Sequence, residues 1–212
     1  MPDGIPPAST VFGRAIAEHL DVIRQVAEQQ FVLEAIAQSM VATLKFGGKI
    51  LWCGNGGSAA DCQHLAGEIV GRFRRERRGL PSIALTTDTS ILTAVANDYG
   101  YEMVFSRQVE ALANSGDLLV GISTSGNSKN VVNAMESARA RGVVTVAFTG
   151  SGGGKLATIA DHLFAVASRD TARIQEAHIL AGHMLCDWIE WDWVQTQPSA
   201  DNSAMGKAEV PQ

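Results

Sequence analysis

Three cysteines, Cys53, Cys62 and Cys186, are an odd number without any C-x-x-C spacing. That argues against a disulfide framework and for reduced thiols in a cytosolic protein. No apolar run approaches the ~20 residues needed to cross a bilayer. The opening MPDGIPPAST lacks a basic segment followed by an apolar run, so no secretory leader is expected. Positive charge is scarce too: the formal net charge is -5, which disfavours nonspecific nucleic-acid binding. The only basic cluster, Arg72 to Arg78, reads as a solvated helix end rather than a nucleic-acid patch. Low-complexity runs are absent as well. With 46% apolar and 18% charged residues over 212 positions, the chain can bury the core of one ordinary domain. A soluble, cytoplasmic protein with neither membrane nor nucleic acid as partner is expected.

What is present is an alternation. Residues 1–48 read as a proline-containing arm followed by two helices, one from Thr10 and one from Phe31 to Phe46, stopped at Gly47-Gly48. Their broad apolar faces suit packing on the core or on a neighbouring subunit. Over 49–194, short apolar runs at 49–54, 82–85, 117–122, 143–148 and 161–166 read as strands. Helical patterns fall between them, at roughly 58–74, 88–114 with a break near Gly100, 127–141, and a short one near 153–160. A long final helix is expected over 172–194, and the polar tail 195–212 is expected to be mobile. This spacing predicts an α/β fold: a three-layer, Rossmann-like or flavodoxin-like parallel sheet with N-terminal helices.

Ligands of such a sheet bind where strands end and helices begin. Three loops of that kind stand out. In CGNGGSAAD, Gly54-x-Gly56-x-x-Ala59 fits a dinucleotide fingerprint with Asp88 as a distant ribose acid, but a tight strand-to-helix turn also explains the glycines. The loop Ser123-Thr124-Ser125-Gly126-Asn127-Ser128 puts four hydroxyls in six residues at the opening of a helix. One cap needs one hydroxyl, so the surplus points to a phosphate dianion held by hydroxyls and free backbone N–H groups. The third, Thr149 to Lys155, has the wrong spacing for a nucleoside-triphosphate loop and carries Leu156 where a magnesium-binding hydroxyl belongs; it reads as a flexible helix entry. Beyond the first loop, His64 and Glu68 share a helix face. Histidines on the final helix, in QEAHILAGH, are equally compatible with a packed core. From composition and spacing, proton transfer on a small phosphorylated metabolite is the suitable chemistry, with the metabolite left open.

The segments CGNGGSAADCQHLAGE, LTAVANDYGYEMVFSRQV, GISTSGNSKNVV and RIQEAHILAGH occur in the order found in the phosphoheptose isomerases of the sugar isomerase (SIS) domain superfamily, which the chain resembles from about Gly47 to Glu190. The resemblance implies conversion of sedoheptulose 7-phosphate to D-glycero-D-manno-heptose 7-phosphate through an enediol, toward bacterial heptose precursors, with lipopolysaccharide as one destination. It implies that Ser123, Thr124, Ser125 and Ser128 hold the phosphate. Asn55, Gly56, Gly57, Ser58, Asn97, Asp98, Glu68 and Gln175 would contact the sugar, with Glu68 and His183 as the acid–base pair. One zinc ion per subunit would be held by His64, Glu68, Gln175 and His183, in a homotetramer, and Arg72 would approach a neighbouring site. Gln175 and His183 lie eight residues apart, ~12 Å along a regular helix, so a shared metal requires their side chains to lean together. The alternative is a non-catalytic SIS-domain protein that associates with the replication initiator. That relative lacks the glutamate and last histidine that stand here as Glu68 and His183.

Overall fold

A computed structural model describes residues 8–196. Two helices, α1 (Ala8–Ala27) and α2 (Gln30–Lys45), precede an alternating core. The core runs β1 (Ile50–Gly54), α3 (Gly57–Val70), β2 (Ser82–Ala84), α4 (Thr89–Tyr99), α5 (Ser106–Leu112), β3 (Leu118–Ser123), α6 (Lys129–Ala140), β4 (Val144–Thr149), β5 (His162–Ala165) and α7 (Thr171–Thr196). Short 3-10 turns cover Tyr101–Met103 and Gly154–Thr158. The expected strands and crossovers are therefore found. The arm at 1–7 and the tail from 197 lie outside the described residues, while Gln195 and Thr196 extend α7.

All five strands are parallel, in the order β2-β1-β3-β4-β5. Alternate side chains feed two cores. Ile50, Trp52, Leu118, Val120 and Phe148 pack under α2, α3 and α7; Leu51, Cys53, Leu119 and Ala147 pack under α5 and α6. The chain leaves β1 in one direction to reach β2 and in the other to continue through β3, β4 and β5. Right-handed crossovers then put α3 on one face and α4 to α6 on the opposite one. The direction reverses between β1 and β3, and the crevice at their carboxyl ends is where such sheets take ligands.

The terminal helices fill the face that α3 leaves open. α7 lies beside α3 and runs the same way, with Gly182 against Leu65: a Cβ on Gly182 would stand 2.5 Å from Leu65 Cδ1, so the close approach requires glycine. Burying Leu65 completely contributes about 1.5–3 kcal/mol. Cys53, Cys62 and Cys186 are buried free thiols, and burial pushes Cys53 and Cys186 up to about 12. They stay protonated.

One expectation is corrected. Helix α3 stops at Val70 rather than near residue 74, and Arg72 to Arg78 is not a solvated helix end. Arg77, 2% exposed in its side chain, donates to Glu68 O in the last turn of α3 at 2.9 Å and to Gly71 O of its C-cap at 3.1 Å, and pairs with the fully buried Glu190 at 3.1 Å. The Glu190 carboxylate also accepts the backbone N–H groups of Phe73, Arg74 and Arg75 at 2.6, 2.7 and 2.9 Å. A buried anion on α7 therefore folds the basic segment into a loop. Local helix propensity cannot reveal that partner.

Candidate active site

The serine loop follows β3 and ends at Ser128, the N-cap of α6. Ser123 Oγ lies 2.9 Å from Ser128 Oγ and 3.4 Å from Ser125 Oγ, so Ser123 gathers three hydroxyls into an open ring. Ser128 makes no side-chain cap bond to its own helix, which leaves the Lys129 and Asn130 N–H groups at the start of α6 uncapped, while Val131 N–H donates to Asn130 Oδ1 at 3.0 Å. Gly126 sits at φ +66°, and a Cβ there would stand 2.0 Å from Gly153 O. Only glycine fits the turn. Gly153 belongs to the third loop, which also donates Lys155 N–H to Asn127 Oδ1 and Leu156 N–H to Gly126 O. That loop is thus a buttress of the serine ring, where the sequence predicts a flexible helix entry.

The first loop meets the same place from the other side of the crevice. Asn55 and Asn130 exchange amide hydrogen bonds at 2.8 and 2.9 Å, and Tyr101 Oη donates to Asn55 Oδ1 at 3.1 Å. Asn130 and Tyr101 carry no role in the sequence pattern, although each lies inside a segment quoted above, LTAVANDYGYEMVFSRQV or GISTSGNSKNVV. Ser58 is buried beneath the loop. Gly56, at φ +56°, turns the chain into α3, and the Gln175 carboxamide covers Gly57 so closely that a Cβ there would stand 2.5 Å from Nε2. A dinucleotide would bring its pyrophosphate to the surface that Gln175 occupies. Asp88, the candidate ribose acid, is instead the N-cap of α4, accepting from Ile91 N–H.

Further along α3, His64, Glu68 and His183 converge, with one donor atom of each within 4.8 Å of the others. His64 Nε2 lies 2.9 Å from His183 Nε2 and 3.3 Å from Glu68 Oε1. Phe73 stacks on the His183 ring at 5.3 Å and 19°. The basic loop thus backs the imidazole that α7 presents. Burial, the nearby His64 and Arg74 push His183 below its ordinary 6.5, against the opposing pull of Glu68; the ring is neutral at pH 7. Asp61, between Gly57 and His64 on α3, keeps a buried Oδ2 without a hydrogen-bond partner, and burial raises its pKa despite His64.

Two imidazoles and a carboxylate are a zinc-type donor set. Donors around a tetrahedral zinc at ~2.0–2.1 Å stand roughly 3.3 Å apart, close to the 2.9 and 3.3 Å separations here. The residues fit the ion. Gln175 lies on the second turn of the unbroken α7, with its carboxamide on Gly57. Asn97 and Asp98, on the last turn of α4, hydrogen-bond to each other at 2.8 Å, with no bond to the serine ring or to the His64 cluster. Arg72 is exposed and pairs with Glu76 at 3.5 Å.

Among the described residues no helix is long and apolar enough to cross a membrane. The family model of the SIS domain matches residues 14–150. Phosphoheptose isomerases of Roseiflexus sp. and Aliarcobacter butzleri are 57% and 58% identical, over 82% and 81% of this chain and 89% and 92% of theirs. The phosphoheptose isomerase structure from Neisseria gonorrhoeae superposes with a TM-score of 0.83 at 45% identity, over 86% of this chain and 98% of that one. That of Francisella tularensis gives 0.85 at 36% identity, over 88% and 100%. These relatives carry the isomerase's name, and the initiator-binding alternative finds no support among them. The chain belongs to the SIS-domain family and, within it, to the phosphoheptose isomerases.

Proposed function

We propose that this protein interconverts sedoheptulose 7-phosphate and D-glycero-D-manno-heptose 7-phosphate by proton transfer through an enediol. The observation that carries the reading is the meeting of Glu68 with two imidazoles on the helix that the first ligand loop opens. Ser123, Thr124, Ser125 and Ser128 hold the phosphate with the open N–H groups of α6. Asn55, Gly56, Gly57, Ser58 and Gln175 orient the sugar, and Asn97 and Asp98 meet its hydroxyls. Glu68 takes the proton from the carbon next to the carbonyl and returns it to the neighbouring carbon; His183, neutral at pH 7, moves protons at the sugar oxygens. Oε1 of Glu68 faces His64, which leaves Oε2 for the sugar.

His64, Glu68 and His183 would hold one zinc ion per subunit, with Gln175 as the fourth residue of the set. Such an ion, when bound, polarises the carbonyl and stabilises negative charge on the enediolate oxygens. Assembly as a homotetramer is supported by the exposed apolar stripe Phe12, Ile16 and Leu20 on α1 and by α4, which buries no residue within the subunit; Arg72 would then approach a neighbouring site. Action in the cytoplasm, on the way to heptose for lipopolysaccharide, completes the reading.

Purified protein incubated with sedoheptulose 7-phosphate tests it. Glu68→Gln should lose about 10²–10⁴-fold in kcat, the usual contribution of a positioned base, while still binding the phosphosugar. Chelation should abolish turnover and zinc should restore it. Wild-type turnover by Glu68→Gln would remove Glu68 from the chemistry, and full activity after chelation would remove the metal.

A further inference from the structure

A second cleft opens beside the serine ring, on the side where α7 begins. Its wall is made by Thr124, Ser125, Ser151, Ser168, Arg169 and Thr171. The loops that form it are stitched together: Gly150 N–H donates to Thr124 O at 3.0 Å, Ser151 N–H to Ser168 O at 2.9 Å, and Asp170 N–H to Ser168 Oγ at 3.1 Å. A Cβ on Gly150 would stand 2.5 Å from Thr124 O and 3.1 Å from Ser168 O, so no side chain separates the serine loop from the loop carrying Arg169. Arg169 is therefore held at a set place relative to Thr124 and Ser125.

Arg169 is exposed and makes no ion pair with any acid among the described residues. The nearest acid in sequence, Asp170, uses its Oδ1 to accept the N–H groups of Ala172 and Arg173 as the cap of α7. No carboxylate side chain lines the cleft. On the opposite flank, Lys129 shares a cleft with Ser128, but Glu102 lines that one and would repel a dianion. Hydroxyls and N–H groups solvate a phosphate without neutralising it, and this chain carries a net charge of -5. A guanidinium supplies charge and two parallel donors matched to phosphate oxygens.

We propose that Arg169 is a further substrate-binding residue, which pairs with the phosphate oxygens that the serine ring leaves facing the α7 side. This rests on the serine ring being the phosphate site. Arg169 then sets the preference for a dianionic sugar phosphate over a neutral sugar.

The test is steady-state kinetics on Arg169→Ala, Arg169→Lys, Lys129→Ala and the double variant Ser123→Ala with Ser125→Ala, using sedoheptulose 7-phosphate as substrate and inorganic phosphate as competitive inhibitor. Arg169→Ala should raise KM and the phosphate inhibition constant together, by at least tenfold, the size of one hydrogen bond to a charged group. Its kcat should move by less than threefold, and Arg169→Lys should recover part of the loss. If the serine variant raises both constants and Arg169→Ala raises neither, Arg169 is no ligand while the serine ring stands. If neither variant moves them, both assignments fall. A rise in Lys129→Ala alone would place the charge on the other flank and overturn the proposal, as would a fall in kcat for Arg169→Ala without a change in phosphate inhibition.

Discussion

Replacing Glu190 by glutamine removes one negative charge and leaves the shape of the side chain almost unchanged. In the native fold that carboxylate is fully buried, accepts three backbone N–H groups at 2.6–2.9 Å and faces the buried Arg77 guanidinium at 3.1 Å. The amide has one acceptor oxygen, so its NH2 must confront either a backbone donor or Arg77, and the guanidinium is left buried and uncompensated. Breaking a buried pair in this way costs about 3–5 kcal/mol. For a chain of this length, that lowers Tm by roughly 6–20 °C. Burial alone would raise the Glu190 pKa, but the three N–H groups and Arg77 outweigh it and hold the group below 4.5. A carboxylate with a depressed folded pKa contributes stability that is present above 4.5 and fades as pH falls through the folded value. Melting curves from pH 7 to 3 should therefore show the acid fall steeper in the wild type than in Glu190→Gln. Activity should fall as well, because the same loop carries Phe73 against His183. A Tm within 2 °C of wild type, with an unchanged acid limb, would refute this account of the loop.

Two further outcomes follow from the packing of the same molecule. His178 is fully buried with Nδ1 unpaired and Nε2 bonded to Thr149 O at 3.0 Å, and burial pushes it from 6.5 to about 4. Below pH 6.5 the unfolded imidazole takes up a proton that the folded one refuses until about 4, so about 3 kcal/mol of stability present above pH 6.5 should be lost as pH falls toward 4; His178→Phe, followed by urea titration, should flatten that slope. Ribulose 5-phosphate anchored at the same serine ring stops two C–C bonds short, about 2–3 Å, and a 1 Å misplacement already costs about 10²-fold. Its kcat/KM should therefore lie at least 100-fold below that for the seven-carbon substrate, and comparable values would mean that the phosphate is not the fixed end.

The strands were legible because each is a short apolar run closed by turn residues, as in ILWCG and LLVGIS. The serine ring was legible because four hydroxyls exceed the need of one helix cap. What lay beyond reading were features created by partners distant in sequence. The end of α3 is decided by Arg77 and Glu190, 113 positions apart, and not by anything in the helix itself. His178 looks like His183 on the same helix, yet one is sealed between Phe148 and Phe164 and the other faces His64. Thr149 to Lys155 departs from the nucleotide-loop pattern and reads in isolation as a flexible helix entry. Its work depends on Gly126, which a linear reading does not place beside it.

The position of the acid–base cluster follows from the winding of the sheet. Helices that follow parallel strands all begin at the carboxyl edge, so α3 and α7 must run in the same direction when they lie side by side. Residues at equal depth then meet: Gly57 with Gln175, Leu65 with Gly182, and His64 with His183. Because the crossover direction reverses at β1, α3 is the one crossover helix on its face, and the C-terminal helix can pack directly along it. A glutamate one turn past His64 therefore reaches the His183 imidazole without any loop having to carry either group. The ligand loops supply binding at the strand ends, while the reactive side chains ride on two packed helices, where backbone hydrogen bonds and the Gly182–Leu65 contact hold them in place. Such a division suits proton transfer between adjacent carbons, which depends on fixed placement of the base.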